Sequence, residues 1–351
     1  MSDPAALLAR LVAFPSVAGL PNGAIAGFIA GWLHDHGVAC REVNGASGRV
    51  GLLAHAGRGE GVLLAAHMDV VEVAGQDWSG DPWTLTDRNG RLIGRGAADM
   101  KGFLACAMLV MADAANGGRS LLLAVSTDEE IGCVGVRDLL PVVASLETRP
   151  RACVVGEPTG MRLASAHKGK LALRATLHGT ARHSSEAPLA DNAVEHAAEL
   201  VLALRDRGRD LAGSGRRDER FAIPHSTVSV GPIHGGTALN IVPDRCTVEL
   251  EVRTVPGDDA AALLPPLDRV DVEQLAAYPP LDGGGEAIAE LLGVEPREAI
   301  DFGTEAGLYA ELGIPTGVCG PGDIGDAHRA DESVEHEQLL RCLDALRRLT
   351  T

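Results

Sequence analysis

His67-Met68-Asp69, Asp99 in the run Gly94-Arg95-Gly96-Ala97-Ala98-Asp99-Met100-Lys101-Gly102, Asp128-Glu129-Glu130, Gly156-Glu157-Pro158-Thr159 and Ala327-His328-Arg329-Ala330-Asp331-Glu332 each place a histidine or a carboxylate close behind an apolar run. A mixed set of imidazoles and carboxylates suits Zn²⁺, with Co²⁺ or Mn²⁺ as possible substitutes. Side chains two apart on an extended segment lie on one side, so His67 and Asp69 should point together. His67 is then expected to bind metal, with Asp69 fixing its tautomer and raising its basicity. Glu129 and Glu130 would repel each other in a cleft unless cations intervene. One of them is expected to take a metal, leaving the other to accept a proton from water, the division of labour of metal-assisted hydrolysis. The plain alternatives are an Asp99 that caps the next helix, a His67 held by ordinary hydrogen bonds and a solvated run of acids at 128–130. Those alternatives would have to hold independently of one another.

The elements that must position these groups follow from the apolar pattern. Residues 4–13 and 22–37 have helical spacing, the second opening at Asn22 and closing near Gly37. From about 50 to 160, short apolar strands alternate with helices: Val62–Ala66, a helix Met100–Ala115, Leu121–Ser126, a helix near 134–145 and Ala152–Val155. That alternation predicts a mostly parallel sheet covered by helices, with functional groups gathered beyond the carboxyl ends of its strands. After His167-Lys168-Gly169-Lys170 the pattern changes. Leu171–Leu177 reads as a strand, Leu189–Arg205 as an amphipathic helix, Thr227–Val230 and Thr247–Thr254 as strands, and Pro256-Gly257-Asp258-Asp259 as the lead into a second short helix. This β-α-β-β-α-β order predicts an α+β insert, with a mobile loop over Arg205–Arg220. A strand near Thr316–Cys319 and a helix from Glu335 to Leu349 complete an α/β domain of 1–168 and 277–351 around an insert of 169–276.

Size and composition agree with two cores: 351 residues, 46% hydrophobic and only 3% aromatic. A formal charge of −17 argues against a nucleic-acid groove, while leaving room for an anionic small molecule held by local Arg or Lys. The seven cysteines, Cys40, Cys106, Cys133, Cys153, Cys246, Cys319 and Cys342, include no C-x-x-C pair and read as reduced packing residues. With no signal-peptide pattern and no long apolar run, a cytoplasmic protein with no membrane partner is expected.

The set of motifs resembles the M20 metallopeptidase/amidohydrolase family, and within it the acetylornithine deacetylase branch. The resemblance runs in order along nearly the whole chain through AAHMDVV, GRGAADMKG, STDEEIG, GEPT, HKGKL, LHGTARHSS, GGTALNIVPDR, DFGTEAGLYAELGIPT and CGPGDIGDAHRADESVE. It implies a zinc-hydrolase-type catalytic domain with two zinc ions per subunit, and a ferredoxin-like lid that forms a homodimer. It also implies that His67 and Glu157 bind one zinc, Glu130 and His328 the other, that Asp99 bridges them, and that Glu129 is the general base. His183 would stabilise the oxyanion in the neighbouring subunit's site. Asn240 and Arg253 would contact the substrate carboxylate, and Lys168 and Glu305 would line the substrate pocket. Arg182 before His183 and Gly325-Asp326 before His328 depart from the family's commoner residues; they bear on substrate choice and touch no ligand.

The activity so implied is removal of the acetyl group from an N-acetyl-amino acid, with N2-acetyl-L-ornithine, of arginine biosynthesis, as the expected substrate. Desuccinylation of N-succinyl-diaminopimelate is the alternative, disfavoured because Glu305-Ala306-Gly307 stands where that branch carries a Ser-Gly-Gly run. A dinucleotide oxidoreductase is disfavoured because Asp99 would set a negative charge against pyrophosphate at the end of the Gly94-Arg95-Gly96 run. No G-x-S-x-G elbow supports a serine hydrolase. A catalytically silent relative would show damaged ligands, and none is damaged here.

Overall fold

A computed structural model describes residues 3–45, 48–267, 270–297 and 299–350. The chain divides into two compact units, Met1–Ala166 with Leu281–Ala299 and Thr304–Thr351, and His167–Pro280 with Ile300–Gly303. Each has its own apolar core.

The larger unit is built on an eight-stranded mixed sheet. Its centre is four adjacent parallel strands, in the order Arg119–Ser126, Arg58–His67, Ala152–Pro158 and Thr316–Gly320. These strands are buried almost throughout, which is why they read as unbroken apolar runs and not as alternating ones. The helix Lys101–Ala115 is buried along nearly its whole length and packs on this centre. The helix at Gly23–Asp35 ends as expected, with Gly37 at φ 79° and the Val38 N–H bonding the Leu33 carbonyl at 3.0 Å. Its start differs from expectation. Asn22 makes no capping hydrogen bond; its amide exchanges two bonds with the backbone of Val50, at 2.8 and 3.0 Å. A three-stranded sheet of Thr86–Arg88, Arg91–Ile93 and Ser333–Glu335 was not foreseen.

The smaller unit holds a four-stranded antiparallel sheet in the order Thr227–Gly235, Arg245–Thr254, Gly169–His178, Val270–Tyr278. That order is the one a β-α-β-β-α-β chain makes when its first and third strands are central. Two expectations are corrected. The helix runs from Ala193 to Ser214, so most of the stretch expected to be a mobile loop is helical; Leu204 and Leu211 keep the buried face going and Arg207 donates to the Leu263 carbonyl at 2.8 Å. After Pro256 the described residues form turns, not a second helix, before Pro265-Pro266. Prolines there cannot supply the N–H groups a helix needs. Among the described residues no helix is long and apolar enough to cross a membrane, and all seven cysteines are unpaired.

Candidate metal centre

His67 is the last residue of its strand, Glu157 the last but one of the neighbouring strand, and Glu129 and Glu130 follow the end of Arg119–Ser126. Thr316–Gly320 leads into the loop that carries His328. Parallel strands thus deliver four of the motifs to one edge of the sheet. Asp99 precedes the helix Lys101–Ala115, yet its carboxylate does not cap that helix. It stands between two imidazoles, with Oδ1 3.0 Å from His67 Nε2 and Oδ2 3.1 Å from His328 Nε2. Glu157 Oε1 lies 3.7 Å from His67 Nε2, and Glu130 Oε2 2.9 Å from His328 Nε2. Ligand atoms of His67, Asp99 and Glu130 all lie within 4.8 Å of one another, and so do those of His67, Glu129 and Glu157.

The electrostatics describe a site short of positive charge. Burial, then the neighbouring carboxylates of Glu130 and Asp99, push Glu129 up to about 8. Burial and Asp99 push Glu130 up to about 7 and Glu157 well above the usual range. Burial would also raise Asp99, but hydrogen bonds from His328 and His67 hold it below the ordinary carboxylate value. Hydrogen bonds to Asp99 and Glu130 raise His328 to about 10. Bound dications would reverse this logic by taking the role that protons fill. A cluster of two imidazoles and buried carboxylates with converging oxygens therefore fits a pair of divalent cations, with His67, Asp99, Glu130, Glu157 and His328 as donors.

Asp69 holds His67 differently from the expected carboxylate contact. His67 Nδ1 meets the Asp69 backbone carbonyl at 2.9 Å and the Asp69 carboxylate only at 3.6 Å. The carboxylate instead accepts the Glu130 N–H at 3.2 Å, and its Oδ1 has no hydrogen-bond partner. The His67 tautomer is set by a carbonyl, and the Asp69 side chain braces the Glu129-Glu130 turn. Cys133 donates its thiol to Glu129 Oε1 at 3.2 Å, a contact that composition and spacing did not suggest. Asp128, Cys133, His328 and Asp331 all have φ near +55 to +61°, a conformation uncommon for such residues and gathered here in the loops that carry the motifs.

Of the five residues expected to act on the substrate, four lie in the smaller unit and Glu305 in the larger. His183 is exposed, opens the short turn Ser184–Leu189 and bonds Ser185 Oγ through Nδ1 at 2.7 Å. Asn240 is exposed beside it, its carbonyl accepting the Ser184 N–H at 3.0 Å. Lys168 and Arg253 share a cavity of about 310 Å³ with Ile223, Thr227 and Asp301. Both are already partnered: Lys168 with the Ile223 and His225 carbonyls at 2.7 and 2.9 Å, Arg253 with Glu251 at 2.6 Å and the Tyr278 hydroxyl at 2.8 Å. Glu305 belongs to the larger unit and is only 1% exposed. Burial and then Glu129 push it up to about 8, a hydrogen bond from Ser126 opposes this, and its Oε1 has no partner. It is therefore a buried carboxyl near Glu129.

Residues 63–351 match the model of peptidase family M20/M25/M40. The chain belongs to this family. Its fold is similar over 99% of the chain to the M20 metallo-carboxypeptidase Sso-CP2 of Sulfolobus solfataricus, at 18% identity, TM-score 0.81 and 98% of that chain covered. It is similar to the aminopeptidase PepT of Bacillus cereus at 19% identity and TM-score 0.71, covering 99% of this chain and 97% of that one. The YXEP protein of Bacillus subtilis, a dinuclear metal-binding M20 peptidase, matches at 16% identity and TM-score 0.68, covering 99% and 96%. The M20 chain described here is accordingly a metallohydrolase, with an α/β catalytic domain built on a large mixed sheet and a second, smaller sheet-containing domain.

Proposed function

We propose that this M20 protein is a zinc-dependent amidohydrolase that removes the acetyl group from an N-acetyl-amino acid, with N2-acetyl-L-ornithine giving L-ornithine and acetate as the substrate tested first. The observation that carries the reading is the placement of Asp99 between His67 and His328, with Glu130 and Glu157 on either side and Glu129 bonded to neither histidine. When bound, a pair of divalent cations would polarise an amide carbonyl and make water more acidic. His67, Glu157, Glu130 and His328 would hold them and Asp99 would lie between. Glu129, half-buried and pushed up to about 8 by desolvation and by Glu130 and Asp99, is suited to take a proton from water and return it to the leaving amine.

The oxyanion role of His183 and the carboxylate-binding roles of Asn240 and Arg253 rest on the resemblance of their motifs. For Lys168 and Arg253 a second support is that both line one cavity. Glu305-Ala306-Gly307, in place of a Ser-Gly-Gly run, favours deacetylation over desuccinylation. Homodimerisation through the smaller unit is supported by the open edge strand Thr227–Gly235, with Ile233, Ile241 and Leu239 exposed on or near it. A cytoplasmic location is consistent with seven unpaired cysteines.

Free-amine release should be measured with N2-acetyl-L-ornithine, N-succinyl-diaminopimelate, neutral acetyl-amino acids and simple dipeptides. A preference for acetylornithine supports the full reading. Turnover of a neutral acetyl-amino acid or of a dipeptide alone keeps the metal chemistry and discards ornithine.

A further inference from the structure

Arg95 and Glu332 form an ion pair buried in the larger unit, Arg95 Nη1 donating to Glu332 Oε2 at 2.6 Å, with both side chains 1% exposed. The second oxygen of Glu332 accepts the backbone N–H groups of Ala98 and Asp99, each at 3.0 Å. The Gly94 N–H bonds the Glu332 carbonyl at 2.9 Å. One residue therefore holds the whole segment that aims Asp99. Arg95 carries the hold across to the other loop. Its Nη1 reaches the Arg329 carbonyl at 3.4 Å and its Nη2 hydrogen-bonds Gln76 Oε1, whose Nε2 donates to the His328 carbonyl at 3.2 Å. The guanidinium lies 5.0 Å from the Trp78 ring centre, which fixes its plane. His328 needs such support, because its φ of 61° is not one a histidine adopts freely.

We infer that Arg95, Glu332 and Gln76 are positioning residues that set the distance between Asp99 and His328, and hence the affinity for the cation those two would share. Only a carboxylate can accept two backbone N–H groups and a guanidinium at once. Its burial is tolerated only because the guanidinium is there, so neither partner can be lost alone. A planar fork that reaches a carboxylate, an amide and a carbonyl together is a task for Arg and not for Lys.

The inference rests on the two-cation reading of the site, and the test separates the two. Chelated wild-type protein, Gln76→Glu and Glu332→Gln would be titrated with Zn²⁺ by competition calorimetry and with Co²⁺ by visible absorption. Gln76→Glu keeps an acceptor for Arg95 and removes the donor to His328. It should keep the melting temperature of the chelated protein while one of two binding events weakens about 10- to 100-fold, the usual cost of losing an outer partner of a ligand. Glu332→Gln should weaken the same event further and alter the Co²⁺ spectrum. Wild-type affinities and spectra in both variants would overturn the inference, as would lower melting temperatures with both affinities kept. Should Glu332→Gln fail to fold, the Gln76→Glu isotherm decides alone. A wild-type protein that binds no divalent cation overturns the site reading itself.

Discussion

Glu129 and Glu130 are adjacent in sequence but meet different neighbours, and the proposed function gives them different work on that ground. Glu130 touches His328 at 2.9 Å, whereas Glu129 is held by the Cys133 thiol. Glu129→Gln should therefore leave metal content at the wild-type level and lower kcat by about 10² or more, the scale of a lost general base. Atomic absorption beside steady-state kinetics checks both parts; equal loss of metal would mean that Glu129 is a ligand. A pH effect follows from the same residues. Without metal, Glu129 and Glu305 are raised to about 8, Glu130 to about 7 and His328 to about 10, so the folded chain holds protons that the unfolded chain releases. Stability of the chelated protein should be highest near pH 4.5 to 5 and fall as pH rises, the carboxyl contributions being lost by about 8 and that of His328 by about 10. Added Zn²⁺ should reverse that slope, because metal affinity grows as the ligands lose protons. Thermal melts at pH 5.5 and 8, with and without metal, measure it; a slope unchanged by metal would contradict the ligand assignment.

The strand Ala152–Pro158, which carries Glu157, packs on the buried helix Lys101–Ala115, and at Gly156 a methyl group would overlap the Phe103 ring. Gly156→Ala should destabilise the protein by about 1–3 kcal/mol through overpacking. Combined with Phe103→Leu the cost should be less than additive, because the smaller side chain makes room; denaturant titrations of the four proteins test this. Much at this scale was legible in advance. The parallel strands read as apolar runs, and their ends alone place His67, Glu129, Glu130, Glu157 and His328 on one edge. What was not legible depended on contacts distant in sequence. Asn22 reads as a cap and turns out to pair with Val50, 28 residues on. Arg205–Arg220 reads as loop from its Gly, Arg and Asp content, yet Leu204 and Leu211 bury one face and keep most of it helical. Glu332 lies in the same motif as His328, but only its long-range bonds to Arg95, Ala98 and Asp99 show what it does. Glu305 lies buried near Glu129, a burial that its place in the sequence does not disclose.

The chain has two cores, and all the residues of the candidate metal centre belong to the larger unit. The smaller unit's open edge and exposed apolar side chains lead us to expect a particle of twice the chain's 36.4 kDa in solution. Light scattering after size exclusion checks this, and Ile233→Asp on the edge strand should shift it toward monomer. A wild-type monomer would remove the dimer from the account and leave the metal chemistry standing. The proposed amide hydrolysis depends on two cations that His67, Asp99, Glu130, Glu157 and His328 would hold. The most direct test is to strip the protein with chelator, add Zn²⁺ stepwise, and follow amine release from N2-acetyl-L-ornithine and a short-acyl panel against bound metal per chain. The stripped protein should show no turnover, and activity should rise to a plateau at two bound ions. Turnover that persists in the stripped protein, or full activity without any bound ion, would contradict this.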